Sequence, residues 1–239
     1  MTLEVAIVPF DGRPGRAEFD CGIDALNDWL RTKARQHQDR GISRTFLAIP
    51  KEGALADWQG AGFEGINDDT VLGFFTLSSA QVFNEGLPAG TRLSRTVPVV
   101  RLGRLAVHRR LQRRGLGRML LMEAIVRAAQ VSETIGVTGL FVDAKDESSA
   151  AFYRKYGFES TEHDPLKLWL PLASVIEALS EALPDDSWLE RVEISGNDIR
   201  ITGVAGNAGD LAARLGRHGG FVEVRASAAS VRDNALGEE

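Results

Sequence analysis

The stretch LGRLAVHRRLQRRGLGRMLLMEAIVRAA, residues 102–129, decides the fold. Its opening reads as the end of a strand, and its second half is an apolar run with helical spacing that starts near Gly115 and extends to about Val131. Between them stand four arginines (Arg109, Arg110, Arg113 and Arg114) and the glycines Gly115 and Gly117. The first turn of a helix carries unpaired N–H groups and the positive end of the helix dipole, so it favours an anion, and glycines let the main chain approach closely. A phosphate-binding turn is the expectation. No Lys-Ser or Lys-Thr follows the glycines as in a Walker loop, and no third glycine completes a dinucleotide fingerprint.

Working outward, LEVAIVPF (3–10) reads as a strand. It is followed by a helix on which Ile23, Leu26, Trp29 and Leu30 recur at helical spacing, after a cap at Asp20 or a turn at Gly22. SRTFLAIP (43–50), VLGFFTLSSAQVF (71–83) and TVPVVRLGRLAVH (96–108) read as strands, and the Gly- and Asp-rich segment 51–69 between the first two as an exposed loop. TGLFVDA (138–144) is a buried-type strand, SSAAFYRKYG (148–157) a short helix closed by Gly157, and LKLWLPL (166–172) a last strand. The order β, α, β, β, β, α, β, α, β predicts an α/β (α+β) fold, a sheet flanked by helices on both faces.

Charge divides the chain. Residues 1–172 hold 22 Lys and Arg against 21 Asp and Glu, and residues 173–239 hold 6 against 12. Residues 92–118 alone carry nine arginines and no acid, which points to an anionic ligand. The single cysteine, Cys21, excludes an internal disulfide and a multi-cysteine metal site and reads as a small buried thiol. The four histidines show no ligand spacing, so no metal is expected. No run is long and apolar enough to span a membrane, and the N-terminus lacks a signal-peptide pattern, so the cytoplasm is the expected location.

Gln112-Arg113-Arg114-Gly115-Leu116-Gly117, behind the strand LGRLAVH and ahead of FVDAKDESSAAFYRKYGF, resembles the pyrophosphate loop, Gln/Arg-x-x-Gly-x-Gly/Ala, of the Gcn5-related N-acetyltransferases (GNAT). The resemblance covers residues 1–172 and implies a GNAT-type mixed sheet with acetyl-CoA as co-substrate. It implies that Gln112, Leu116 and the amides of Arg113 to Arg118, those of Gly115 and Gly117 among them, hold the pyrophosphate. It implies as well that the strand edge Leu105, Ala106, Val107 pairs with the pantetheine arm. The Val107 N–H would then face the thioester carbonyl, and Tyr153 matches the family's general-acid tyrosine. A phenol, with a pKa of about 10, is a plausible proton source for a departing thiolate of about 8.5. Tyr156 is assigned to packing.

FDCGIDALNDWL together with LGRLAV resembles, more narrowly, the acetyltransferase toxins of type II toxin–antitoxin systems. That likeness implies acetylation of the α-amino group of aminoacyl-tRNA, a block of translation, and a small DNA-binding antitoxin as partner. His108 departs from the acidic residue expected after LGRLAV. Two features favour this acceptor apart from the resemblance. An α-amine, with a pKa of about 7.7–8.0, is substantially neutral where a lysine is protonated, and no obvious base is placed here, with Asp143 and Asp146 read as solvated loop acids. Arg31, Lys33, Arg35, Arg40 and Arg44, joined by Arg92, Arg95, Arg101 and Arg104, suit a long phosphate backbone. The same bases could instead pair with Asp24, Asp28 and Asp39. The competing functions are acetylation of a small-molecule or protein amine and a non-catalytic acetyl-CoA-sensing scaffold. Homodimerisation is left open.

Residues 173–239 read as a separate small αββαβ domain: helices at 173–183 and 208–218, strands at 187–195, 197–205 and 221–228. LPDDSWLERVEISGNDIRITGVAGNAGDLAARL resembles the C-terminal domain of PilN- and GspL-type assembly proteins, and a BON-like lipid-binding module has the same element order. The junction looks like a fusion, natural or constructed.

Overall fold

The computed structural model describes residues 3–84, 87, 94–173, 188–195 and 198–204. The chain divides into two compact units, Met1–Ala173 with Ile194–Ile199, and the remainder. The first is built on a mixed seven-stranded sheet, ordered β1-β2-β3-β4-β5-β7-β6. Its strands are β1 (Val5–Pro9), β2 (Arg44–Pro50), β3 (Gly73–Phe83), β4 (Thr96–Val107), β5 (Gly139–Asp143), β6 (Glu159–Ser160) and β7 (Lys167–Pro171). All neighbours are antiparallel except β4 and β5, which run parallel and are joined by the crossover helix α4 (Leu116–Thr134).

Helices cover both faces. Leu47, Phe74 and Ala106 stand side by side across β2, β3 and β4 and are buried with Trp29, Leu30 and Ala34 of α1 (Asp24–Thr32) and α2 (Ala34–Asp39). The opposite face packs against α4: a Cβ on Gly73 would lie 2.9 Å from Leu120 Cδ1, and Phe46 stacks on Phe75 beneath the Arg127 guanidinium. The single predicted first helix is interrupted at Lys33, and Asp20 does not cap it. Asp20 Oδ1 instead accepts from the Gly22 N–H and the Asn27 side chain.

The expectation of an exposed loop at 51–69 is overturned. That segment contains α3 (Leu55–Gly60), and Trp58, Phe63 and Ile66 are all buried. The Trp58 indole donates to the Glu4 carbonyl, which closes the segment over the start of β1. Apolar anchors, not composition, determine its placement.

α5 (Glu147–Arg154) follows β5, capped by Asp146, whose carboxylate accepts from the Ser149 N–H at 2.8 Å. Gly157 ends this helix region with φ +86°. Further along the chain β8 (Trp188–Ser195) and β9 (Asp198–Val204) pair as a two-stranded sheet, at the positions read as strands. The two predicted helices and the last strand of that region lie outside the described residues, as does the turn between β8 and β9.

Candidate active site

The parallel pairing of β4 and β5 stops at Leu102 opposite Val142, while β4 continues to Val107 against β3. From Gly103 onward β4 therefore has a free edge on its β5 side, and the two strands open into a cleft. His108 N–H donates to the Leu72 carbonyl on the β3 side at 2.9 Å. Successive main-chain groups alternate in direction, so the N–H groups of Val107 and Leu105 point the other way, into the cleft. Ala106 faces α1 with its side chain buried, and its main chain serves the β3 ladder.

The turn at the head of α4 closes one end of this cleft. Arg113 (φ +61°) and Gly115 (φ +87°) both lie in the left-handed region, and Gly115 is the N-cap of α4 with no side chain to bond the helix amides. Alternating left- and right-handed residues turn successive N–H groups inward, the geometry of an anion nest. The amides of Leu116 and Gly117 lie in the first helical turn, where the helix supplies no acceptor. A Cβ on Gly117 would make ordinary contact with Val107 Cγ2 at 3.8 Å and Phe152 Cζ of α5 at 3.9 Å, so a larger side chain would press on both. Gln112 holds the turn in place through its side chain: Nε2 donates to the Cys21 carbonyl at 2.9 Å and the Val107 carbonyl at 3.1 Å. The fit to a pyrophosphate is good in shape and sign, with the guanidinium groups of Arg113 and Arg114 exposed on the same turn.

Tyr153 projects from α5, packed edge-on against Phe152 and tilted against Phe158. Burial pushes its phenol up to about 12. Among the described residues its hydroxyl has no hydrogen-bond partner, which leaves the proton available to a ligand. Tyr156 packs on Phe152, as expected of a packing aromatic. Neither nearby acid is placed as a base: Asp143 is ion-paired with Arg101, and Asp146 is spent on the cap of α5.

The cationic residues divide. Arg31 pairs with Asp28 at 3.5 Å and Arg35 with Asp39 at 3.7 Å, as the ion-pair alternative expected, and Arg101 with Asp143. Lys33 and Arg95 are exposed, and Arg92 lies outside the described residues. Arg104, one of the arginines read as suited to a phosphate backbone, has no ion-pair partner among the described residues. Its guanidinium lies 4.2 Å from the centroid of the Trp29 ring. His108 sits edge-on to Phe19, and burial lowers its pKa despite the opposing pull of Asp20. Cys21 is a buried free thiol. Among the described residues there is no cluster of potential metal ligands and no helix long and apolar enough to cross a membrane.

A parallel pair of strands whose pairing ends beside a glycine turn at a helix head, with a tyrosine on the helix after the second strand, is the arrangement expected of an acyl-CoA-binding transferase. The chain belongs to the acetyltransferase (GNAT) family, whose model matches residues 23–158. It is 35% identical over 154 residues to the tRNA-acetylating toxin of Mycobacterium tuberculosis (strain ATCC 25618 / H37Rv), covering 64% of this chain and 82% of that protein. Among solved structures it is similar to AtaT complexed with acetyl-methionyl-tRNAfMet, at 28% identity and a TM-score of 0.63 over 73% of this chain and 99% of the other. It is also similar to a tyrosine-to-phenylalanine mutant of the AtaT toxin bound to acetyl-CoA and the C-terminus of the antitoxin AtaR, at 28% identity and a TM-score of 0.57 over 74% and 98%. A model for the fimbrial assembly protein PilN matches residues 174–238.

Proposed function

We propose that this chain is an acetyl-CoA-dependent N-acetyltransferase that acetylates the α-amino group of aminoacyl-tRNA and thereby blocks translation as a toxin. The observation that carries the chemistry is the cleft between β4 and β5, lined by the outward N–H groups of Leu105 and Val107 and closed by the Gln112–Gly117 turn. The relatives that acetylate or bind tRNA support the acceptor.

The residues divide the work. The amides from Arg113 to Arg118, helped by the cationic turn, hold the pyrophosphate, and the edge at Leu105 to Val107 bonds the pantetheine amides. The Val107 N–H donates to the thioester carbonyl oxygen, where negative charge develops as the amine attacks; one such donor is worth about 2.7–4 kcal/mol. Tyr153 donates its proton toward the sulfur as the carbon–sulfur bond breaks. A phenol at about 12 is fully protonated at neutral pH, the form a donor needs. Deprotonation of the attacking amine is left to water, which suits an α-amine better than a lysine.

The exposed bases Lys33 and Arg95, with Arg31, Arg35 and Arg101, are the residues assigned to meet the tRNA, as is Arg92, which lies outside the described residues. An aminoacyl-tRNA acceptor agrees with a cytoplasmic enzyme, and the antitoxin-bound relative supports an antitoxin as partner, expected from the resemblance to be small and DNA-binding. Residues 1–172 form the catalytic domain and residues 173–239 an appended interaction domain. The test is a cell-free translation reaction depleted of acetyl-CoA. Protein synthesis should continue when the enzyme alone is added and stop when acetyl-CoA is restored; arrest without acetyl-CoA would contradict the proposal.

A further inference from the structure

The register of β4 against β3 shifts between Thr76 and Leu77: Leu77 pairs with Leu102 and Thr76 with Arg104, so Gly103 is an extra residue, a β-bulge. In a regular strand residues 101 and 104 would point to opposite faces. The bulge turns both arginines onto the face that carries α1 and α2, where with His37, Ser43, Thr76 and Ser78 they line a cavity of about 250 Å³. Gly103 fits this geometry, since a Cβ there would lie 3.0 Å from the Thr76 hydroxyl.

The two arginines differ in their partners. Arg101 is ion-paired with Asp143. Arg104 has no carboxylate partner among the described residues and is held against the Trp29 ring, and burial, reinforced by the charge of Arg101, lowers its pKa. A half-buried cation without a counter-ion is costly unless a ligand supplies the charge. Ser43 is 9% exposed, and its hydroxyl has no hydrogen-bond partner. An unpaired guanidinium and an unsatisfied hydroxyl in one polar cavity ask for an anionic oxygen group.

We infer that the cavity is a phosphate subsite, in which Arg104 and Ser43 hold the phosphodiester on the 5′ side of the terminal nucleotide of the acceptor. This rests on the aminoacyl-tRNA reading above. The offset along the strand favours the phosphate over a carboxylate. Arg104 is three residues, about 10 Å along the strand, from the Val107 amide at which the reacting carbonyl sits. A side-chain carboxylate on the aminoacyl group is only a few bonds from the α-nitrogen, whereas the phosphate beyond the terminal ribose is separated from it by the whole sugar and better matches a site offset along the strand.

The test compares wild type with Arg104→Gln, Arg104→Lys and Ser43→Ala on a panel of aminoacyl-tRNAs, with acetyl-CoA affinity and thermal melting measured on each to confirm an intact fold. Arg104→Gln should lower kcat/KM by about 10- to 100-fold for every aminoacyl group, and reduce the slope of log KM against log salt by about 0.7, as for one lost contact to a single strand. Arg104→Lys should recover part of the activity, and Ser43→Ala should lose about threefold to tenfold. Unchanged kcat/KM and slope in Arg104→Gln would overturn the subsite; a loss confined to aspartyl- and glutamyl-tRNA would overturn it in favour of a side-chain carboxylate. Direct binding of the dinucleotide cytidylyl-adenosine, followed by saturation-transfer NMR, needs no turnover. Binding to wild type that is lost in Arg104→Gln supports the subsite even if the wild type acetylates no charged tRNA, a result that would sink only the acceptor reading. Equal binding to both proteins, or none to wild type, would overturn the subsite.

Discussion

The side-chain amide of Gln112 donates to the Val107 carbonyl at 3.1 Å, and so ties the turn at the head of α4 to the residue whose own N–H faces the cleft. The same nitrogen also bonds the Cys21 carbonyl at 2.9 Å, which brings the entry to α1 into the same cluster. Gln112→Ala removes both bonds. With each worth about 0.5–1.5 kcal/mol, acetyl-CoA affinity should fall by at most about fivefold to 150-fold, measured by titration calorimetry.

Tyr153→Phe removes a proton donor and little else, because the ring packing on Phe152 and Phe158 is retained. Turnover should drop about 100- to 10,000-fold while acetyl-CoA binding stays within about twofold of wild type. Valine at Gly115, where φ is +87°, or at Gly117, between Val107 and Phe152, should do the reverse and weaken acetyl-CoA binding first. Equal cofactor loss in all three variants would refute this division of labour.

The pH dependence follows from the groups involved. The acceptor amine must be neutral to attack, so kcat/KM should rise with pH and level off above about 8. Because burial pushes the Tyr153 phenol up to about 12, no alkaline fall assignable to this residue should appear before about pH 10. A steep decline between about pH 8 and 9 would show that another group supplies the proton.

The same burial links Tyr153 to alkaline stability. Its folded pKa, about 12, lies above the ordinary value of 10.0, so its contribution is intact below about pH 10 and is lost as pH rises from there toward about 12. That contribution is on the order of 2–3 kcal/mol. Chemical denaturation from pH 9 to 11.5 should show a shallower loss of stability in Tyr153→Phe than in wild type.

The strands around the site and helix α4 were legible because their signals are local: apolar alternation, helical spacing, and a glycine pair at a helix start. The β4–β5 cleft was not legible from any such pattern. It depends on pairing that ends at Leu102 and Val142, residues far apart in sequence, and on a bulge at Gly103 that no alternation reveals. Segment 51–69 misled for a related reason. Its glycines and aspartates dominate the composition, whereas Trp58, Phe63 and Ile66 anchor it without a helical or strand period. Arg101 looked like a free cation, yet its partner Asp143 arrives from the next strand of the sheet. Trp58→Ala should therefore cost about 3–5 kcal/mol in urea denaturation, as for a core tryptophan, where an exposed loop position would lose almost nothing.

The most direct test of the central claim is transfer of label from radiolabelled acetyl-CoA to total charged tRNA by the purified full chain. The account predicts label in the RNA fraction that vanishes when the tRNA is deacylated beforehand and is about 100-fold slower or worse with Tyr153→Phe. Acetyl-CoA binding without any label in RNA, or label that persists on deacylated tRNA, would contradict it.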